Sequence, residues 1–182
     1  MANIWFTSDL HLGHDRDFIW GARGYTSLDE MNRIQIEKFN SIVMPEDDVY
    51  ILGDSMLGDA ATSQKLFAGL QGKIHVILGN HDTNARAEFY RGLPQVVEVV
   101  YATVIKKNRK SFYLSHYPTM TTNQGRLEGQ AINLSGHTHS KNKFENIEYG
   151  VYNVAVDAHD GYPVNLDTII AYLNKRLSKE NK

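Results

Sequence analysis

Five times along this chain a short apolar run stops at a residue able to bind a metal ion, and these stops constrain the fold more than any other feature. Residues 3–8 lead to Asp9-Leu10-His11, and residues 48–52 lead to Gly53-Asp54. Residues 73–78 lead to Gly79-Asn80-His81-Asp82, residues 111–115 to His116, and residues 131–134, through Ser135, to Gly136-His137-Thr138-His139. Short apolar runs bounded by glycine and polar residues read as strands. Strand, polar tip, loop and helix in alternation give an α/β sheet whose working residues line the carboxyl edge of its strands.

Between the tips, Ser27 and Glu30 have capping-box spacing ahead of Met31, Ile34 and Phe39, which predicts a helix over about residues 28–40. A second, shorter helix is expected over residues 62–69, stopping at Gly69. Residues 96–105 and 111–117 read as a β-hairpin whose charged tip, Lys106 to Lys110, is a solvated turn. Residues 151–156 read as a strand. Asn165 caps a last helix with an apolar stripe of Ile169, Ile170, Leu173 and Leu177. No repeat or linker interrupts the 182 residues, which match the size of one domain spanning 1–182.

Composition narrows the chemistry. There is no cysteine, so thiolate ligands, disulfides and cysteine nucleophiles are excluded, and any metal sits on nitrogen and oxygen. The formal charge of −2 gives no basic field to draw nucleic acid or a membrane surface. The N-terminal residues lack a secretory pattern and no stretch reaches the length of a membrane span, so a cytoplasmic location without membrane partners is expected.

The donors themselves are Asp9, Asp54 and Asn80 through oxygen and His11, His116, His137 and His139 through nitrogen. On a strand, residues i and i+2 share a face, which would aim Asp9 with His11, and His137 with His139, into one pocket. Glycines before Asp54, Asn80 and His137 leave room for close approach. Seven donors exceed the needs of a single tetrahedral zinc. They suit two ions about 3.5–4 Å apart that share a bridging carboxylate. Mixed imidazole and carboxylate favours manganese, with iron, zinc or nickel as alternatives. A phosphate ester is anionic and repels nucleophiles, and paired cations remove that obstacle.

In this order the blocks D-x-H, GD, GNHD, H and GH-x-H resemble those of the calcineurin-like metallophosphoesterase superfamily, over about residues 9–139. Thr7-Ser8-Asp9-Leu10-His11-Leu12-Gly13-His14 and Asn153-Val154-Ala155-Val156-Asp157 look most like its small single-domain bacterial and phage members. The resemblance implies a four-layer αββα sandwich with two mixed β-sheets and flanking helices. It implies one ion on Asp9, His11 and His139, another on Asn80, His116 and His137, and Asp54 bridging them. His81 would face the scissile bond as proton donor or charge stabiliser, with Asp82 orienting it. The implied reaction is hydrolysis of a phosphodiester or phosphomonoester by a bridging hydroxide, on a small phosphorylated or nucleotide-like substrate.

The chain departs from the pattern at Leu57, where such members often carry a polar residue, which puts any role of Asp59 in question. A chain of this length has no room for an inserted cap domain, so an open site is expected. His14 and Arg23 are candidates for substrate phosphate, Arg23 because a guanidinium suits bidentate contact. Asp157 ends a strand and reads as a turn residue that can approach the site; His75 reads as a satisfied core histidine, His159 and Asp160 as solvated. A nuclease with the same site, and a non-catalytic protein-binding scaffold, are the competing readings.

Overall fold

The runs that end in candidate ligands build the middle of two sheets. In the computed structural model, which describes residues 2–121, 131–146 and 150–180, β1 (Ile4–Thr7), β2 (Asp48–Leu52) and β3 (Lys73–Ile77) lie parallel side by side. The sheet is completed by β4 (Val96–Val100), parallel to β3, and by β10 (Val164–Asn165), antiparallel to β1. The second sheet has the order β5 (Ala102–Lys107), β6 (Lys110–Ser115), β7 (Ala131–Ser135), β9 (Val151–Asn153), β8 (Phe144–Asn146). Its β6, β7 and β9 are mutually parallel and both edge strands are antiparallel, so both sheets are mixed.

The alternating side chains of these strands divide two apolar cores. Phe6, Leu52 and Ile77 of the first sheet meet Phe112, Leu114, Ile132, Leu134 and Tyr152 of the second, all buried. Val49, Ile51, Ile74 and Val76 point the other way, onto α2 (Leu28–Ile42), α3 (Ala60–Ala68) and α4 (Asn84–Arg91) through Phe39, Phe67 and Tyr90. The last helix, α5 (Leu166–Glu180), adds Leu166, Ile169 and Leu173 to the inter-sheet core, with Ile170 partly buried beside them. The side chain of Leu177, fourth in the expected stripe, lies outside the described residues. The result is the expected α/β sandwich of two mixed sheets flanked by helices. Among the described residues no helix is long and apolar enough to cross a membrane.

Local signals explain most boundaries. Ser27 accepts the Glu30 backbone N–H at 3.1 Å as expected, but the Glu30 carboxylate turns to the backbone N–H of Thr26 at 2.7 Å instead of closing a box on Ser27. Asp59 starts α3 by accepting the Thr62 N–H at 2.8 Å, so it is a helix cap and the helix begins two residues earlier than expected. Helix α4, capped by Thr83, and a single turn, α1 (Asp17–Trp20), have no counterpart among the expected elements.

The largest difference concerns residues 96–105, expected as one strand of the hairpin. They are two strands in different sheets, and the chain crosses from β4 to β5 at Tyr101, which is 74% exposed. The hairpin proper is β5–β6, closed by Asn108 and Arg109, both left-handed at φ 50° and 61°. Two such residues in succession match the right-handed twist of the flanking strands. The expected strand 151–156 ends at Asn153, and a 3-10 turn over Val156–Ala158 follows. His75 is buried and satisfied at both ring nitrogens, 2.8 Å from Glu98 and 3.0 Å from Asp48. His159 is tied to the Asn153 carbonyl at 2.9 Å rather than solvated, whereas Asp160 is exposed.

Candidate metal centre

Every predicted ligand emerges at the carboxyl end of a strand, but the pleat does not aim them. Asp9, His11, Asp54, His137 and His139 all adopt left-handed backbone, with φ of 56°, 52°, 52°, 74° and 53°. The i, i+2 expectation is therefore corrected: the two pairs converge because each residue sits in a bend beyond its strand. The bends are held by backbone bonds of 3.0 Å from Asp9 N to Gly53 O and from His11 N to Asp54 O. Of the glycines that precede Asp54, Asn80 and His137, Gly136 allows the closest approach, since a Cβ there would fall 2.1 Å from Ser8 Oγ and 2.2 Å from Asp9 Oδ2.

The seven side chains form two adjoining groups. Asp9, His11 and His139 bring one donor atom each within 4.8 Å of one another, and so do Asp9, Asp54 and His116. The Asn80 side-chain oxygen lies 2.9 Å from His116 Nε2 and 3.0 Å from His137 Nδ1, which adds two more donors to the second group. The rings of His11 and His139 are 4.9 Å apart, those of His116 and His137 5.0 Å.

The donor set fits cations on three grounds. First, Asp9 Oδ1 and His11 Nε2 are fully buried with no hydrogen-bond partner among the described residues, while Asp9 Oδ2 accepts Ser8 Oγ at 2.6 Å and His137 N at 2.9 Å. A buried carboxylate oxygen left unpaired is costly, and an ion would supply the missing partner. Secondly, the outer nitrogens of three rings are held so that Nε2 faces inward: His116 Nδ1 donates to Leu52 O at 2.8 Å, His139 Nδ1 to Asp157 at 3.0 Å, and His11 Nδ1 meets His14 Nδ1 at 3.0 Å. Such outer bonds fix the tautomer of a metal-binding imidazole.

Thirdly, burial and neighbouring charges shift the titration of the donors themselves. Burial pushes the Asp9 carboxyl up. Burial opposes charge on His116 as well, yet its bond to Asp54 and the charge of Asp9 hold it above its usual range. Burial and the nearby Arg23 guanidinium drive His11 down to about 2, the neutral form that binds metals.

His81 stands at the mouth of this group. Its side chain is 46% exposed, its backbone N–H donates to Asp54 Oδ1 at 2.9 Å, and its Nε2 lies 3.9 Å from Asp54 Oδ2. Asp82 does not orient that ring, a correction to the expected pairing. Its carboxylate accepts the backbone N–H groups of Gly79 at 2.8 Å and Asp54 at 3.0 Å and the Tyr90 hydroxyl at 2.9 Å, so it braces the loop that carries Asn80 and His81.

Arg23 is also corrected. Its guanidinium is turned inward to Asp157, Asp9 O, Leu10 O and the sulfur of Met31, with its side chain 8% exposed, so it has no free donor for a phosphate. His14 keeps a place at the rim, its ring stacked on His11 at 5.1 Å. Residues not foreseen are Ser8, which steadies Asp9, and Tyr90, which anchors Asp82; Asp157 joins the site through His139. The position of Asp157 beyond a strand end was the one available signal.

Comparison with known proteins agrees with this geometry. Residues 3–155 match the model of the calcineurin-like phosphoesterase superfamily domain. The chain is 30% identical over 181 residues to an uncharacterized protein of Methanocaldococcus jannaschii, covering 96% of this chain and 93% of that one. It is 32% identical over 170 residues to the gene 66 protein of Mycobacterium phage D29, covering 78% of this chain and 80% of that one. Its fold is similar to that of a protein of unknown function from Aquifex aeolicus, with a TM-score of 0.74 at 21% identity, covering 94% of this chain and all of the other. Those matches, with the donors gathered at the carboxyl ends of strands from both sheets, place the chain in the calcineurin-like phosphoesterase superfamily, whose members are metal-dependent hydrolases of phosphate esters.

Proposed function

We propose that the protein hydrolyses a phosphodiester or phosphomonoester with two divalent ions, manganese by preference. The observation that carries this reading is the pair of buried, partnerless donors, Asp9 Oδ1 and His11 Nε2, aimed into a cluster of further donors. Asp9, His11 and His139 would hold one ion and Asn80, His116 and His137 the other. Asp54 would be shared, since its backbone carbonyl holds His11 N at 3.0 Å and its Oδ2 lies 3.4 Å from His116 Nε2. When bound, the ions supply Lewis acidity and a water acidic enough to serve as nucleophile near neutral pH. The protein's part is to hold the donors rigidly, brace the Asn80–His81 loop through Asp82, and present the half-exposed His81 ring to the leaving oxygen. Chelation is expected to abolish turnover of an aryl phosphate ester and added Mn²⁺ to restore it. The ion should also raise unfolding stability by about 2.7 kcal/mol at a hundredfold excess over its Kd. Turnover that persists in the chelated protein contradicts the reading.

Two exposed rings favour a nucleotide-like substrate over a simple alkyl phosphate. Tyr117 is 50% exposed with its ring 4.7 Å from that of His137, and Phe18 is 66% exposed beside His14, at a ring distance of 6.2 Å. Apolar rings on either flank of a phosphate-binding centre suit a flat leaving group, and stacking of a base on an aromatic is worth about 1–3 kcal/mol. Tyr117→Ala is expected to raise KM about tenfold for a ring-bearing ester, with no change for an alkyl ester. Equal effects on both esters would remove the stacking role.

A further inference from the structure

Arg23 and Asp157 form an enclosed ion pair, with side chains 8% and 9% exposed, and neither belongs to the ligand set proposed above. The guanidinium Nε and Nη2 lie 2.9 Å from Asp157 Oδ1 and Oδ2, a two-pronged contact that fixes the plane of the carboxylate. The same guanidinium donates to the backbone carbonyls of Asp9 at 2.8 Å and Leu10 at 3.2 Å. One side chain from the loop before α2 therefore ties the first ligand block to the segment after β9. Asp157 Oδ2 in turn accepts the Nδ1–H of His139 at 3.0 Å. With the proton on Nδ1, the lone pair sits on Nε2, the nitrogen that faces Asp9 Oδ1 at 3.9 Å. His116 and His11 have uncharged outer partners, the Leu52 carbonyl and the His14 ring; His139 alone of the three is held by a carboxylate. A buried carboxylate without a counter-charge would be unfavourable, and Arg23 removes that cost while fixing its direction.

We propose that Arg23 and Asp157 act as a positioning pair for the ion held by Asp9, His11 and His139. Arg23 orients the Asp157 carboxylate and the backbone of the first ligand block, and Asp157 fixes the ring plane and tautomer of His139. The pair thereby sets the affinity of that ion and not of its neighbour. This rests on the two-ion reading.

The test is calorimetric titration of the metal-free protein with Mn²⁺, with wild type expected to take up two ions. Asp157→Asn keeps the volume but places an amide NH₂ against either the guanidinium or the His139 ring. It is expected to weaken one ion by about 10–100-fold, the usual effect of removing an outer partner, and to leave the other unchanged. In the metal-free protein at a pH well above the imidazole range, ¹⁵N NMR should find His139 protonated at Nδ1 in wild type and shifted towards the other tautomer in Asp157→Asn. Arg23→Lys, which keeps the charge and loses the fork, serves as the second variant and should weaken the same ion.

Unchanged affinity in both variants with an unchanged tautomer would overturn the proposal. So would equal weakening of both ions with a lowered melting temperature of the metal-free protein, the mark of a merely structural role. Wild type that takes up no pair of ions would overturn the two-ion reading and this proposal with it; a failure confined to the variants overturns this proposal alone.

Discussion

His81→Ala is expected to lower kcat by about 10²–10⁴-fold, the range for loss of a positioned proton donor, while both ions remain bound. The two halves of that expectation come from different observations. Retention of the ions follows because the seven donors lie behind the His81 ring, which touches only the fringe of the set: its Nε2 is 3.9 Å from Asp54 Oδ2. Loss of turnover follows because its half-exposed ring stands at the open side and, among the described residues, no outer partner fixes it as a ligand. The size of the loss should depend on the leaving group. An alkoxide leaves poorly without a proton, whereas a nitrophenolate leaves well, so the defect should be largest for alkyl esters. A loss of the same size for both groups would assign His81 to charge stabilisation instead. Asp54→Asn, by contrast, should reduce turnover and ion uptake together, and calorimetry beside steady-state kinetics separates the two cases.

Gly136→Ala is expected to disable the centre by adding one methyl group. The added carbon would fall 2.1 Å from Ser8 Oγ and 2.2 Å from Asp9 Oδ2, and both residues are fully buried, so neither can swing away. Either the carboxylate of Asp9 moves or the strand end after β7 does, and both break the bond from His137 N to Asp9. Overpacking of this kind costs about 1–3 kcal/mol of stability; the larger effect should be on ion uptake, since Asp9 is a proposed ligand of one ion and its Oδ2 holds the backbone of His137, a proposed ligand of the other. Gly24→Ala is the control. It has a left-handed φ of 83° but no atom within 4 Å of the added carbon, so only backbone strain of about 1–2 kcal/mol is expected, with ion binding intact. If calorimetry of Gly136→Ala gave wild-type affinities, the close packing described here would be wrong.

Much of this was readable in the residues because the strongest signals are local. Strands β1 to β3 announce themselves by apolar runs that stop at glycine or a charged residue, and α2 by the Ser27 cap. The donors were readable because side-chain chemistry limits which residues bind metals, whatever the path between them. What escaped was non-local. Nothing in the apolar run across Tyr101 tells that it changes sheet there, because the same alternation suits an edge strand of either one. Arg23 read as a candidate phosphate clamp because its partner lies 134 residues away, and burial of a charge is decided by the partner. The pairing expected between His81 and Asp82 failed for a similar reason. Gly79, Asp54 and Tyr90 outcompete a sequence neighbour whose ring points to solvent.

Five of the eight non-glycine residues in left-handed backbone among those described are proposed donors. Left-handed backbone costs an ordinary residue roughly 1–2 kcal/mol, so together the bends withhold several kcal/mol from a fold whose net stability is of order 5–15 kcal/mol. The site is thus a standing burden on the empty protein, and drift that replaced these aspartates and histidines by glycine would give a sturdier but inert molecule. Ion uptake and survival of the fold should accordingly rise and fall together, and depletion of metal in the surroundings would act first on how much intact protein there is to load.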